Sequence, residues 1–238
     1  MKKLFLSLVY FLPLAAFAQD TKVINDANAV QRNLNGSFTA IRVSSGIDLY
    51  ITQGNQESIA VSASDQKYID RIKTEVVNGT LKIYYDNKGI TWKSENKRLR
   101  AYVSFKTLEK LDAAAGSHVN VNGTINTDKF VLHVSSGAGF AGSINATELT
   151  ADVSSGAGIK ITGQADKLTV DASSGANFKG YDFTADYCNA SASSGADIQV
   201  TSNKEISAKA SGGADIRYKG TALIRDLKTS GGGAVKKA

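Results

Sequence analysis

One cysteine, one proline, one tryptophan and two histidines are all that 238 residues hold of these types. A single cysteine excludes an intrachain disulfide framework and any zinc site built on two or more thiolates. The two histidines, His118 and His133, fall at different places in the repeat described below, so a shared metal is not expected. Serine is plentiful, but no histidine stands where it would activate one, which argues against a serine hydrolase. The only proline, Pro13, lies in the leader, so every later turn must rest on glycine, asparagine, aspartate or serine. Beyond the leader no apolar run reaches the ~18 residues that a membrane helix needs.

What is present begins with an export leader. Lys2 and Lys3 precede the apolar run Leu4 to Leu14, and Ala16-Phe17-Ala18 supplies the small-x-small cleavage pattern. Cleavage is expected before Gln19, which places the mature chain outside the cytoplasm, in the periplasm, at the cell surface or secreted. The formal charge is +6, and loss of Lys2 and Lys3 trims it by two. So mild a balance suits an acidic polysaccharide or an anionic surface without calling for nucleic acid.

The second half is a repeat. Ser-Ser-Gly-Ala stands at 135–138, 154–157, 173–176 and 193–196, followed by Ser-Gly-Gly-Ala at 211–214. Looser copies start at Ala114 and Ser230, so that a glycine recurs about every 19 residues, the mark of a solenoid. Three residues after each glycine stand Val119, Phe140, Ile159, Phe178, Ile198, Ile216 and Val235, all large and apolar. Small residues follow each glycine directly, and apolar and polar positions alternate before it. A period of two means strands. A second glycine, at Gly123, Gly142, Gly163, Gly180 and Gly220, predicts another bend, hence two or three short strands per coil. One coil cannot bury its inner face alone. Stacking at about 4.8 Å per coil aligns like residues into ladders. The usual crossover hand then predicts an all-β, right-handed parallel β-helix. The corner serines either line the corner or hydrogen-bond along the stack.

The first half is β-rich but irregular. Strands are expected over 38–43, 47–52, 58–62, 74–77, 80–85 and 100–105, with a hairpin at Asn78-Gly79 and a helical turn within 65–72. Ser44-Ser45-Gly46 repeats the corner, so this half starts the same stack and caps one end. The organisation read from the sequence is a signal peptide at 1–18, a β-rich part at 19–110 that starts and caps the solenoid, and regular coils at 111–238.

The run from Phe38 to Gly54, FTAIRVSSGIDLYITQG, together with Val77 to Tyr84, Leu108 to Leu111 and the serine-glycine-alanine coils, resembles the bacterial head GIN domain family of auto-transporter adhesins. The likeness covers about Phe38 to Arg225. It implies a β-helical, extracytoplasmic protein and brings no catalytic residues. The Gly-Ile-Asn triplet of the name is Gly46-Ile47-Asp48 here. No stretch up to Ala238 reads as a membrane barrel, so self-export is not expected.

Three places carry candidate chemistry. Asp197 and Asp215 sit two residues after successive corner glycines, so stacking would bring them to about 5 Å. That is near the separation of a retaining glycosidase pair, and it suits a shared calcium ion. It equally describes two solvated charges. Trp92 stands in a basic loop with Lys93, Arg98 and Arg100, a set that stacks sugars or binds anions, or else folds onto the solenoid end. Cys188 shares a column with Phe130, Leu149, Leu168 and Ile206, which makes it a small buried hydrophobe. The resulting expectation is a non-catalytic adhesin that binds a surface or a carbohydrate. It needs no cofactor and has no transmembrane segment in the mature chain. A polysaccharide-active enzyme on the same scaffold and a purely structural envelope module are the alternatives.

Overall fold

The computed structural model describes residues 26–89 and 96–238. The expected leader with its cleavage point before Gln19, and Trp92 and Lys93, lie outside them. In chain order the elements are β1 (Val30–Arg32), β2 (Ala40–Val43), β3 (Asp48–Gln53), β4 (Ser58–Ser62), α1 (Gln66–Ile69), β5 (Ile72–Val77), β6 (Thr80–Tyr85), β7 (Arg100–Phe105), β8 (Lys110–Ala113), β9 (His118–Val134), β10 (Gly139–Val153), β11 (Gly158–Ala172), β12 (Asn177–Ala192), β13 (Asp197–Ala210), β14 (Asp215–Lys219), β15 (Leu223–Thr229) and β16 (Ala234–Lys237).

From β8 onward each coil pairs in parallel with the next, in the register that the glycine spacing implies. Val119, Phe140, Ile159, Phe178, Ile198, Ile216 and Val235 form one continuous ladder. Phe130, Leu149, Leu168, Cys188 and Ile206 form a second. All but the partly buried Val235 are sealed from solvent, in a β-solenoid of about 7 turns. Burial at Cys188 pushes its thiol up to about 12, so it packs as a hydrophobe and does not react as a thiolate.

The corner is a tight turn closed twice. Ser155 and Gly156 both take positive φ, 55° and 70°, and the Ala157 N–H donates to the Ser154 carbonyl at 3.2 Å. Two central residues at positive φ make a type I′ turn, which matches the twist of the flanking strands. The Gly156 N–H then donates along the stack to the Ser174 carbonyl at 3.0 Å, and the same bond recurs from corner to corner. Stacking at the corner is therefore backbone work, not a ladder of serine hydroxyls. At the second bend the strand pairing runs on from β9 to β13, although Gly123 and Gly163 take positive φ, 87° and 112°. Each coil from β9 to β13 is one bent strand of 14 to 17 residues, not two or three separate ones.

The first half joins the same stack out of order. β2 pairs in parallel with both β6 and β8, and β3 with both β7 and β9. The β2–β3 coil is thus wedged between a β6–β7 coil and the β8–β9 coil, though it precedes both in sequence. Its corner stacks as the others do, with the Gly46 N–H donating to the Ala115 carbonyl at 3.0 Å. Beyond β6 and β7 the direction reverses: β5 runs antiparallel to β6, β4 to β7, and β1 to β4. Asn78 and Gly79 close the β5–β6 hairpin with positive φ at both positions. Asp65 caps α1 by accepting from the Lys67 N–H at 3.0 Å, and α1 buries Tyr68 and Ile69 against the core.

Candidate functional site

Among the described residues a groove of about 600 Å³ crosses four coils at the second bend. Asn126, Asn145, Gln164 and Thr184 stand in register along one side, and Asp128, Thr147, Asp166 and Asp186 along the other. Between them run Ala146 and Ala165, which also line the groove and pack against the core beneath it. The amide row is organised from one end. Gln53 accepts from the Asn126 N–H at 2.8 Å and donates to its carbonyl at 3.0 Å, and the Asn145 amide donates to Asn126 Oδ1 at 3.2 Å. On the acidic side Asp186 is held by Lys204 at 2.7 Å, and the buried Ser202 hydroxyl lies within reach of the carbonyls of Glu205 and Asp186.

Rows of amides, hydroxyls and carboxylates one coil apart, about 4.8 Å, present donors and acceptors at a regular repeat over a small apolar strip. Such a surface matches a polymer that offers hydroxyls on its edges and C–H groups on its faces. Sequence reasoning missed this groove. The signal was the recurring Asn, Asn, Gln and Thr, but the strands shift register between Ala141 and Ser143, Lys160 and Thr162, and Gly180 and Thr184. The row therefore does not keep one offset from the corner glycine: Asn126 and Thr184 stand further from theirs than Asn145 and Gln164 do.

Asp197 and Asp215 do stack in register, with Ile198 and Ile216 pointing inward beside them. The space between the carboxylates is filled. Arg217 donates to Asp197 at 2.9 Å and to Asp215 at 3.4 Å, and Gln199 adds a bond to Asp197 at 3.3 Å. A guanidinium sits where a calcium ion or a glycosidic oxygen would have to be. Elsewhere among the described residues no three histidine, cysteine or acidic side chains converge on a point. His118 faces Asp48 at 3.7 Å and His133 faces Asp152 at 2.7 Å, on separate columns.

No curated protein matches the chain. A family model described as "Putative auto-transporter adhesin, head GIN domain" matches residues 37–222. The chain belongs to this head GIN domain family. Solved structures share its fold at low sequence identity. A "putative adhesin" from Bacteroides fragilis is 18% identical with a TM-score of 0.82, and the alignment covers 90% of this chain and 98% of that one. A "putative adhesin" from Parabacteroides distasonis reaches 0.71 at 18% identity, over 90% and 98% of the two chains. A "putative lipid binding protein" from the same species reaches 0.66 at 18% identity over the same shares. No helix among the described residues is long and apolar enough to cross a membrane.

In this head GIN domain two cations of the basic loop, Arg98 and Arg100, lie among the described residues. Arg98 is exposed with φ of 46°, while Arg100 is drawn into a clasp at the covered end of the stack. Asp26 accepts from Ser62 Oγ at 2.6 Å and Tyr102 Oη at 2.7 Å, with Arg100 at 3.5 Å. The bonds from Ser62 and Tyr102, then the Asn28 N–H and Arg100, outweigh partial burial and hold the Asp26 carboxyl at about 2. Tyr102 in turn stacks on Tyr50, ring centroids 5.3 Å apart. A carboxyl whose acidity rises on folding adds stability above its unfolded value of ~3.9, and that stability fades as pH falls from ~4 toward ~2. Asp26→Ala is expected to cost roughly 2 kcal/mol at pH 7, in the range for hydrogen bonds to a charged group. Its melting temperature should converge on that of the wild type at pH 2. A constant difference across that range would show that the clasp works through packing alone.

Proposed function

We propose that this head GIN domain is a non-catalytic, extracytoplasmic adhesion module. It binds a neutral, hydroxyl-rich surface polysaccharide laid along the solenoid in the groove of Asn126, Asn145, Gln164 and Thr184. One observation carries the reading: the row of Asn126, Asn145, Gln164 and Thr184 in register over four coils, beside the acids Asp128, Asp166 and Asp186, with alanine between them. The opposing acids Asp128, Asp166 and Asp186 disfavour a polyanion there, although the whole chain is basic. The family description and the adhesins among the structural relatives support attachment over turnover. Arg217 between Asp197 and Asp215 leaves that pair poorly placed for glycoside hydrolysis.

The mature chain should be retained by insoluble neutral polysaccharides in sedimentation assays. Asn145→Leu with Gln164→Leu should weaken retention about tenfold or more, since a polar ligand is left with unpaired groups. Both residues lie at the surface, so the melting temperature should hardly move. Trp92→Ala and Lys93→Glu with Arg98→Glu serve as the competing site. If they abolish retention while the groove variant binds normally, the ligand sits on the loop. Release of reducing sugar by the wild type, lost in Asp197→Asn, would instead establish the enzyme.

A further inference from the structure

The two ends of the stack are finished differently. At one end the parallel coils are covered by antiparallel strands whose own edges are blunt. β1 is three residues long, and β5 carries Lys73 and Glu75 at exposed positions. Short or charged edges are how sheets avoid pairing with other chains. At the other end β16 continues the sheet beyond β14, but β15 pairs with β13 on one side and with nothing among the described residues on the other. Three of the six large apolar side chains exposed among the described residues lie on this one strand: Leu223 at 74%, Ile224 at 55% and Leu227 at 37%. Ile224 and Leu227 continue the inner ladders of Ile206 and Ala208, both sealed. What lies open is therefore the cross-section of the core itself, beside a row of free backbone N–H and carbonyl groups.

We infer that β15 is the seat of a two-fold contact between two copies of this chain, joined C-terminal coil to C-terminal coil. The strand is complementary to its own reverse. Run antiparallel to a second copy, Arg225 faces Asp226, Ile224 faces Leu227 and Leu223 meets the aliphatic stem of Lys228. The register shift between Ile206 and Ser207 leaves Arg225 unmatched in the ladder, which is why Ile224 and Leu227 both point inward although three residues apart. Residues opposite one another in an antiparallel pair share a face, so the two apolar side chains of each copy would close the two cores on each other. A second copy of this chain supplies both the charge match and the apolar match along that backbone. A self-complementary patch forms a closed pair and not a fibre. Arg225 is already bonded to Glu205 at 2.8 Å and Lys228 to Asp226 at 2.7 Å, so the contact is built on half-neutralised charges. Lys236 and Lys237 add positive charge nearby on both copies, and screening should ease their repulsion.

Sedimentation equilibrium of residues 19–238 tests this. The wild type is expected to show a monomer–dimer equilibrium. Ile224→Glu should weaken it at least tenfold, with a melting temperature close to the wild type because the residue is already half exposed. Arg225→Asp alone and Asp226→Arg alone should each weaken it, since like charges then face each other. The double exchange Arg225→Asp, Asp226→Arg should restore it, which a merely sticky edge would not do. A monomer at all concentrations, a polymer longer than two, or a double exchange no better than the single ones would each overturn the proposal. A change in polysaccharide binding would not, because the groove lies on other residues.

Discussion

Ile198→Asp should cost on the order of 3–5 kcal/mol, and Asp197→Ala, one residue away, less than about 1. Ile198 is fully buried between Phe178 and Ile216 in the inner ladder. A carboxylate placed there has neither water nor a partner, and the coils on either side cannot move apart without breaking their backbone bonds. Asp197 points outward. Removing it leaves Arg217 its bond to Asp215, and an exposed ion pair contributes little. Urea melts of the two variants check the register directly. Equal losses would mean that the inward and outward faces have been exchanged.

The second large effect concerns glycines that differ in role. Gly163→Ala should destabilise by roughly 3 kcal/mol and Gly156→Ala by roughly 1, both by thermal or urea melts. Each has positive φ, 112° and 70°, so each substitution strains the backbone. Only at Gly163 does a methyl group also strike the carbonyl oxygen of Ile144, in the coil beneath, well inside contact distance. At the corner the space beside Gly156 is open, and the neighbouring Ser155 already sustains a φ of 55°. The glycine at the second bend is there for close approach between coils, the corner glycine for its backbone angle. If Gly156→Ala proved the more harmful, the corner would have to be more crowded than its geometry shows.

The sequence made the coils readable because two periods coincide in a solenoid. Alternation within a strand says which residues point inward, and the corner glycine says which residues stack. With both in hand, the ladder from Val119 to Val235 follows without a structure. The wedged β2–β3 coil was not readable in this way. Alternation in Ile41-Arg42-Val43 and Leu49-Tyr50-Ile51 marks an inward face but does not say which strand lies alongside, and here both neighbours are distant in sequence. The groove escaped because bulges broke the constant offset. Arg217 was not legible because a column of aspartates says nothing of what the next outward position, two residues on, reaches. Arg100 was legible as a cation near Tyr102 but not as a partner of Asp26, which comes from a segment 74 residues earlier.

The wedged coil also sets an order of assembly on a chain that emerges from its N-terminus. β2 has both its neighbours, β6 and β8, later in the sequence, and β3 has both of its own, β7 and β9. The first solenoid strands to appear therefore have no template when they appear: β2 is not fully paired until β8 has followed, nor β3 until β9. From β10 onward the situation inverts. Each new strand meets a completed coil and needs only the next 19 or so residues to close over it. Synthesis thus divides the molecule into a part that must wait and a part that can grow by accretion. The boundary falls near Val121, where β9 completes the pairing of β3.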